Sequence, residues 1–222
     1  MKKALIFRGG WEGHAPVAVS ERIAEILLKH DIHADIFDGV QCLCDREKLL
    51  TYDLIVPCIT MGDAPEAYIE NLSYAVSQGV GLAGCHGGMC DAFRNSPLWQ
   101  FITGGQWVAH PGNDGVNYTV NICNEHPITE GIGDFTVCSE QYYLHIDPAV
   151  KVLATTRFQI ADGLHAANMP IDMPVIWTKL WGEGRVFYSS LGHNEKVFDA
   201  CPEAELLLER GLVFACRNEK TI

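Results

Sequence analysis

The stretch GVGLAGCHGG at residues 79–88 decides the fold class of this chain. It begins as an apolar, glycine-laced strand and ends with small residues on both sides of His86. This is the pattern of a sharp, strained turn between a strand and a helix, which presents one reactive side chain at the end of a buried strand. We therefore expect the imidazole of His86 to project into the mouth of a cleft, with few packing contacts.

The residues around that stretch alternate between strand and helix patterns. Short apolar runs at residues 3–8, 33–37 and 53–59 predict three buried strands before it. Helical spacing of apolar residues follows Pro16 and Pro65, and proline is favoured in the first turn of a helix. Strands separated by helices imply right-handed crossovers and a largely parallel sheet.

The C-terminal half is richer in β patterns. Single strands are predicted at residues 118–123, 135–138 and 150–155, a hairpin at 174–180 and 185–191 with the four-residue loop 181–184, and a closing helix at 203–216. No linker, repeat or low-complexity tract divides the chain, which predicts a single domain over residues 1–222. The expected fold is an α/β three-layer sandwich with a mostly parallel central sheet and a more β-rich C-terminal half.

Composition excludes several classes of partner. The formal net charge of −12 argues against nucleic acid and anionic membranes, which both attract basic surfaces. No apolar run approaches the roughly 20 residues of a membrane span, and the basic start of the chain is too short for a signal peptide. The nine cysteines are scattered and odd in number, which favours free thiols in a reducing cytoplasm.

Histidines and carboxylates recur where predicted strands end. His14, His86, His110, Glu140 and His193 all fall on such loops. In an open α/β sheet, ligands bind at the carboxyl ends of the strands, so we expect these side chains to share one site. A glycine-rich loop at residues 9–13 matches neither a dinucleotide fingerprint nor a P-loop, and this excludes a nucleotide site there.

The first chemical hypothesis is acid–base catalysis. His193 and Glu195 have the His-x-Glu spacing of a base and the carboxylate that orients it. His86 and His193 would transfer protons, with Glu140 and Glu195 orienting them. The expected substrate contacts are two histidines and two aromatic residues, because sugar sites combine polar groups with aromatic faces; they are His14, His110, Trp11 and Tyr142.

The second hypothesis is a metal centre. Three protein ligands and an open position are typical of catalytic zinc, and the same histidines supply enough nitrogen donors. The candidate ligands are His14, His86, His110 and His193, with Glu140 as a further donor. Zinc is the cofactor that this alternative implies, and no other cofactor is indicated.

Taken in order along the chain, the distinctive stretches resemble the ThuA-like (trehalose-utilisation) family of the class I glutamine amidotransferase-like superfamily. The resemblance covers nearly the whole chain, and its specificity comes from the ordered set of motifs. The matching stretches are GGWEGH at 9–14, GCHGG at 84–88, FITGGQWVAHP at 101–111, HPIT at 126–129, SEQYY at 139–143, PVIWTK at 174–179 and GEGRVFYSSLGH at 182–193.

This resemblance implies a flavodoxin-like sheet, a cytoplasmic location and a part in using trehalose or related glycosides, alongside sugar oxidoreductases that produce keto-sugars. The cysteine nucleophile of true amidotransferases is replaced by His86, which cannot form the thioester that glutamine hydrolysis needs. We therefore expect a sugar-active hydrolase, lyase or isomerase rather than an amidotransferase. The alternatives are a zinc-dependent hydrolase or isomerase and a non-catalytic sugar-binding or partner subunit. The expected partners are a small sugar, a sugar oxidoreductase of the same pathway and further copies of the chain.

Overall fold

Nine strands form one mixed sheet, and two more form a separate ribbon. The computed structural model describes residues 1–159 and 163–217. Its strands are β1 (Lys2–Gly10), β2 (Ile32–Asp38), β3 (Leu54–Thr60), β4 (Gly81–Cys85), β5 (Gly105–Ala109), β6 (Val116–Ile122), β7 (Phe135–Ser139), β8 (Tyr143–Ile146), β9 (Lys151–Phe158), β10 (Ile171–Trp181) and β11 (Gly184–Ser189). Its helices are α1 (Pro16–Leu28), α2 (Arg46–Leu49), α3 (Glu66–Ser77), α4 (His86–Cys90), α5 (Pro97–Thr103), α6 (Glu195–Ala200) and α7 (Pro202–Ala215).

The direction of the strands decides which loops meet. The main sheet has the order β2-β1-β3-β4-β11-β10-β9-β6-β7. The first five strands pair in parallel, and every later pairing is antiparallel. Because β10 is antiparallel to both β11 and β9, β9 runs in the same direction as β11. Because β6 is antiparallel to both β9 and β7, β7 also runs in that direction. The carboxyl end of β7 therefore lies at the same edge of the sheet as the ends of β1, β3, β4 and β11.

Helices cover both faces of the parallel half. Ile6 of β1 packs in a cluster with residues of α1 and α7, such as Ile23 and Leu207. Leu5, its neighbour on the opposite face, packs in a second cluster with Leu72 of α3 and other residues. Because successive side chains of a strand point to opposite faces, these two clusters are the two sides of a three-layer sandwich. Every residue of β3 and β4 is buried, as expected for central parallel strands.

The predicted fold class is confirmed: the sheet is parallel in its N-terminal half, flanked by helices, and the C-terminal half is β-rich. The predicted four-residue hairpin loop is wrong, because Trp181 still pairs with Gly184 and only two residues form the turn. Gly182 takes a φ of 60° there, a conformation that suits glycine. In the ranges 1–159 and 163–217, no helix is long and apolar enough to cross a membrane.

The ribbon of β5 and β8 was not predicted. Sequence reasoning placed residues 104–111 and 139–143 in loops, but Gly105–Ala109 pairs with Tyr143–Ile146 as an antiparallel two-stranded sheet. The last pair in its register joins Ala109 to Tyr143, so His110 and Tyr142 leave the ribbon at the same end. That end faces the carboxyl edge of the main sheet.

Candidate active site

His86 stands at the junction between β4 and α4. Its φ of 48° lies in the left-handed region, where a residue with a side chain is strained. The ring is fixed on three sides. Nδ1 donates to the carbonyl oxygen of Ser190 at 2.8 Å, Nε2 lies 3.1 Å from Oε2 of Glu140, and the ring face stacks on Tyr142 with centroids 3.9 Å apart.

The expectation that His86 projects into a cleft mouth with few packing contacts is therefore wrong. Only 2% of the residue is exposed, because Tyr142 and the residues after β11 cover it. The positive φ also falls on His86 itself and not on the glycines that follow. Position 87 requires a glycine for a different reason, which is lack of space. A Cβ there would lie 2.5 Å from Cε1 of His14 and 2.9 Å from the hydroxyl of Tyr142.

Glu140 is the centre of the site. Its Oε2 lies 3.1 Å from Nε2 of His86, 3.4 Å from Nδ1 of His193 and 3.6 Å from Nε2 of His14. The residue is 4% exposed, and Tyr118 fixes its backbone by donating a hydroxyl hydrogen bond of 3.1 Å to its carbonyl oxygen. We call these four residues, His14, His86, Glu140 and His193, the Glu140 cluster.

The outer nitrogens of the cluster histidines also have polar neighbours. Nδ1 of His14 lies 2.8 Å from the hydroxyl of Thr60, the last residue of β3. Nε2 of His193 lies 3.8 Å from Oδ2 of Asp114, in the loop between the ribbon and β6. The rings of His14 and His86 are therefore held by hydrogen bonds from outside, and His193 faces a carboxylate there, while the other nitrogen of each ring faces Glu140.

Burial and the mutual contacts of these groups separate their pKa values. Burial lowers the pKa of His86 to about 4, since desolvation outweighs the attraction of Glu140. Burial alone would raise the pKa of Glu140, but its contacts with the imidazoles of His14, His193 and His86 hold it well below its usual range. Burial also works to lower the pKa of His193, yet the contact with Glu140 and the charges of Glu140 and Asp114 raise it overall. Glu140 is thus ionised and His86 neutral at pH 7.

Two other predicted residues line the rim of the cluster, and a third lies beneath it. His110 is less buried than the cluster residues, and its buried Nδ1 lies 3.7 Å from Oε1 of Glu140 without a hydrogen-bond partner. Trp11, about half exposed, places its ring edge-to-face against His14 with centroids 4.7 Å apart. Tyr142, by contrast, is buried beneath His86.

Glu195 lies apart from this arrangement. In the described part of the chain, the polar contacts of His193 go to Glu140 and Asp114, and none goes to Glu195. Glu195 is the first residue of α6, directly after the N-cap Asn194, so the chain has already turned into a helix. The predicted pairing of His193 with Glu195 is therefore wrong in this structure, and Glu140 contacts the histidine instead.

Sequence reasoning missed the outer partners Thr60, Asp114 and Ser190. Thr60 ends a buried strand beside the one that leads to His86, and this position was its only signal. Ser190 contributes a backbone oxygen, which no side-chain pattern reveals. Asp114 lies in a glycine-rich loop whose distance from His193 depends on the ribbon.

The arrangement offers two kinds of chemistry. A buried carboxylate among imidazoles can support proton transfer. The four side chains of the Glu140 cluster also each provide one donor atom, and these atoms all lie within 4.8 Å of one another, close enough to surround one cation. Thiol chemistry is disfavoured, because Cys85 is buried and burial raises the pKa of its thiol to about 12.

Comparisons with known proteins agree with this fold. The family model described as "ThuA: Trehalose utilisation" matches residues 3–215. A ThuA-like protein from Bacteroides uniformis superposes with a TM-score of 0.76 at 21% identity, over 95% of this chain and 89% of the other. A ThuA-like protein from Parabacteroides merdae also gives 0.76, at 18% identity over 99% and 92%. A cytoplasmic protein from Salmonella typhimurium gives 0.68, at 13% identity over 97% and 100%. A comparison with curated proteins gave no match.

Proposed function

The chain belongs to the ThuA trehalose-utilisation family, and we propose that it is an enzyme acting on a trehalose-related glycoside or keto-sugar at the Glu140 cluster. The observation that carries the proposal is the burial of an ionised carboxylate with three imidazole nitrogens within 3.6 Å. Burying a charge is costly, and groups with strongly shifted pKa values concentrate at functional sites. The cluster also lies at the edge where α/β sheets bind ligands.

Proton transfer to and from the sugar falls to the outer side of the cluster. Both nitrogens and one face of His86 are occupied, so this ring cannot reach a substrate. His110 is 30% exposed and stands between solvent and Glu140, and His193 faces the exposed carboxylate of Asp114 on its outer side. We assign proton transfer to His110 and to the pair of His193 and Asp114, with Glu140 holding the arrangement together.

The rim favours an uncharged sugar. Trp11 presents a half-exposed aromatic face, and Trp107 lies beside His110 with ring centroids 5.4 Å apart. Aromatic faces bind the apolar faces of sugar rings, whereas a sugar phosphate needs an available cation. Arg94 lies over the ring of Trp107, but its Nε and Nη2 already donate to the two carboxylate oxygens of Asp91 at 2.5 and 2.8 Å.

The surroundings of Cys85 argue against glutamine hydrolysis, since a buried thiol with a raised pKa is a poor nucleophile. All nine cysteines are free, and this supports the cytoplasm as the proposed location. A sugar oxidoreductase is the proposed partner enzyme, because oxidation of a glycoside hydroxyl yields the keto-sugar that this site would receive.

The proposal is tested by incubating the purified protein with trehalose, other glucosides and their keto-sugar derivatives, and following the products by NMR and mass spectrometry. We expect turnover of at least one compound, and a loss of roughly 100-fold in His110→Asn if the imidazole transfers a proton. His30→Asn is the control, because His30 pairs with Glu209 on the surface. Binding of a sugar without any turnover would instead indicate a non-catalytic sugar-binding protein. If the protein neither binds nor turns over any of these compounds, the sugar assignment is overturned.

A further inference from the structure

We propose that the Glu140 cluster is a binding site for a divalent transition-metal ion, with Nε2 of His14, Nε2 of His86, Nδ1 of His193 and Oε2 of Glu140 as its donors. The inference that an ion binds here rests on the geometry of the four side chains. The inference that this ion is a catalytic cofactor rests on the proposed function. The two parts are therefore tested separately.

Counting hydrogens around His86 gives the first argument. The carbonyl oxygen of Ser190 only accepts hydrogen bonds, so Nδ1 of His86 must carry the hydrogen that bridges their 2.8 Å separation. In the neutral ring, Nε2 then presents a lone pair to Oε2 of Glu140 at 3.1 Å. Two lone pairs that face each other at this distance repel, unless a proton or a metal ion lies between them.

The other two rings repeat the problem. A carboxylate oxygen has about two lone pairs, yet three imidazole nitrogens crowd around Oε2 of Glu140. Nε2 of His14 and Nδ1 of His193 are buried and have no hydrogen-bond partner. Buried polar atoms are nearly always satisfied, and atoms that are not need an explanation. One cation accepts lone pairs from all four donors at once.

The outer contacts have the pattern found around metal-binding histidines. Such a histidine almost always uses its second nitrogen to contact a carboxylate, a backbone carbonyl or another polar oxygen, which fixes the ring and its tautomer. Here those oxygens are the hydroxyl of Thr60 at 2.8 Å, the carbonyl of Ser190 at 2.8 Å and the carboxylate of Asp114 at 3.8 Å. When the outer nitrogen of each ring carries the hydrogen, the inner nitrogen directs its lone pair towards Oε2 of Glu140.

The distances from Glu140 match those between neighbouring ligands of one ion. With metal–nitrogen bonds of about 2.1 Å, neighbouring ligands are about 3.4 Å apart in a tetrahedron and about 3.0 Å apart at right angles. The three distances from Oε2 of Glu140 are 3.1, 3.4 and 3.6 Å. Three imidazoles and one carboxylate suit zinc, manganese, iron, cobalt or nickel, whereas magnesium and calcium prefer oxygen ligands.

This proposed donor set differs from the one predicted from sequence. His110 is not a ligand, because its Nδ1 faces the other carboxylate oxygen of Glu140, Oε1, at 3.7 Å, and its ring is part of the rim. Glu140, predicted from sequence as a further donor, is the fourth donor. With an ion bound, proton transfer falls to His110, because the ion would occupy Nδ1 of His193.

The test uses tag-free protein that has been stripped with a chelator and titrated separately with Zn²⁺, Mn²⁺, Co²⁺ and Mg²⁺ by calorimetry, with metal content checked by mass spectrometry. We expect one equivalent of Zn²⁺, Mn²⁺ or Co²⁺ per chain, and Co²⁺ absorption bands typical of mixed nitrogen and oxygen ligands. Glu140→Gln should weaken binding at least 100-fold, and Thr60→Val, which keeps the shape of the side chain, roughly 10-fold or more.

Two controls address other causes. The double substitution of His30→Asn with Glu209→Gln removes a surface histidine–glutamate pair joined at 2.8 Å, and His110→Asn removes a rim histidine. Both should bind metal as the unmodified chain does, and circular dichroism verifies that every variant is folded. Absence of binding at millimolar metal, or binding that Glu140→Gln and Thr60→Val leave unchanged, would overturn the site.

The outcomes for the ion and for the sugar are separable. Sugar turnover that persists in the stripped protein would overturn the cofactor role and support the proposed function. Stoichiometric metal that disappears in Glu140→Gln, in a protein that turns over none of the sugars, would establish the metal site and overturn the proposed function.

Discussion

At the scale of single residues, His86 combines backbone strain with side-chain confinement. A left-handed φ on a residue with a Cβ costs on the order of 1 kcal/mol or more, and the surrounding structure must hold it in place. Here the ring is held by Ser190, Glu140 and Tyr142. The strained backbone thus aims one nitrogen at the centre of the cluster.

Gly87 allows a direct test of how tightly the cluster is packed. A Cβ at this position would lie 2.5 Å from Cε1 and 2.6 Å from Nδ1 of His14. We expect Gly87→Ala to displace His14, to lower the free energy of unfolding by roughly 1–3 kcal/mol, and to weaken metal binding. Urea unfolding and calorimetry measure the two effects. Gly133→Ala is the matched control, because a Cβ there meets no atom within 4 Å; equal effects in both variants would contradict this view of the site.

The residues at strand ends were predictable, and their partners were not. His14, His86, Glu140 and His193 were selected because strands of an α/β sheet end near its ligand site. The prediction of Glu195 as the orienting carboxylate relied on a two-residue spacing from His193. It is wrong because α6 begins at Glu195, so the chain has already turned into a helix there. Ser190 acts through its backbone oxygen, so its role depends on where the end of β11 lies.

At the scale of elements, the parallel half of the sheet followed from the alternation of apolar runs and helical spacing. The arrangement of the antiparallel half could not be predicted in this way, because the spacing of strands along the chain does not specify their order in the sheet. β6 and β7 form the far end of the sheet although β10 and β11 follow them in sequence. This order gives β7 its direction, and therefore brings Glu140 to the edge where the parallel strands end.

The packing of α7 against β11 gives a second prediction. A Cβ on Gly211 would overlap the ring of Phe187, a fully buried residue of β11. Alanine favours helix over glycine by up to about 1 kcal/mol, but we expect the clash to outweigh this gain and to destabilise Gly211→Ala by roughly 1–3 kcal/mol.

Thermal and urea unfolding of Gly211→Ala measure the effect. Val213→Ala, on the more exposed side of the same helix, should stay within about 0.5 kcal/mol of the unmodified protein. A Gly211→Ala variant that is more stable than the parent chain would show that helix propensity dominates at this position.

At the scale of the whole molecule, the cluster joins distant parts of the chain. His14 follows β1, His86 follows β4, Glu140 follows β7 and His193 follows β11. An ion bound by all four would therefore stabilise the folded chain and not the unfolded one. At a free metal concentration 100 times the Kd, the stabilisation is about 2.7 kcal/mol, or roughly 5–10 °C in Tm for a chain of this size.

Differential scanning calorimetry with and without Zn²⁺ or Mn²⁺ measures this shift. We expect the increase in Tm to be reversed by a chelator, and to be absent from Glu140→Gln. The His30→Asn and Glu209→Gln double variant should keep it, because that pair lies on the surface, between α1 and α7. An equal increase in the Glu140 variant would assign the stabilisation to metal bound elsewhere.

Under the proposed function, the small ribbon of β5 and β8 carries part of the sugar-facing rim, apart from the sheet that carries most of the Glu140 cluster. Among the described residues, its strands form sheet hydrogen bonds only with each other. The residues of the Glu140 cluster instead follow strands of the nine-stranded sheet. We therefore expect that Trp107 on the ribbon can be exchanged without altering the pairing of the strands of the large sheet. Under the proposed function, directed evolution aimed at new sugars would do best to begin with residues 105–109 and to leave the proton-transferring His110 in place.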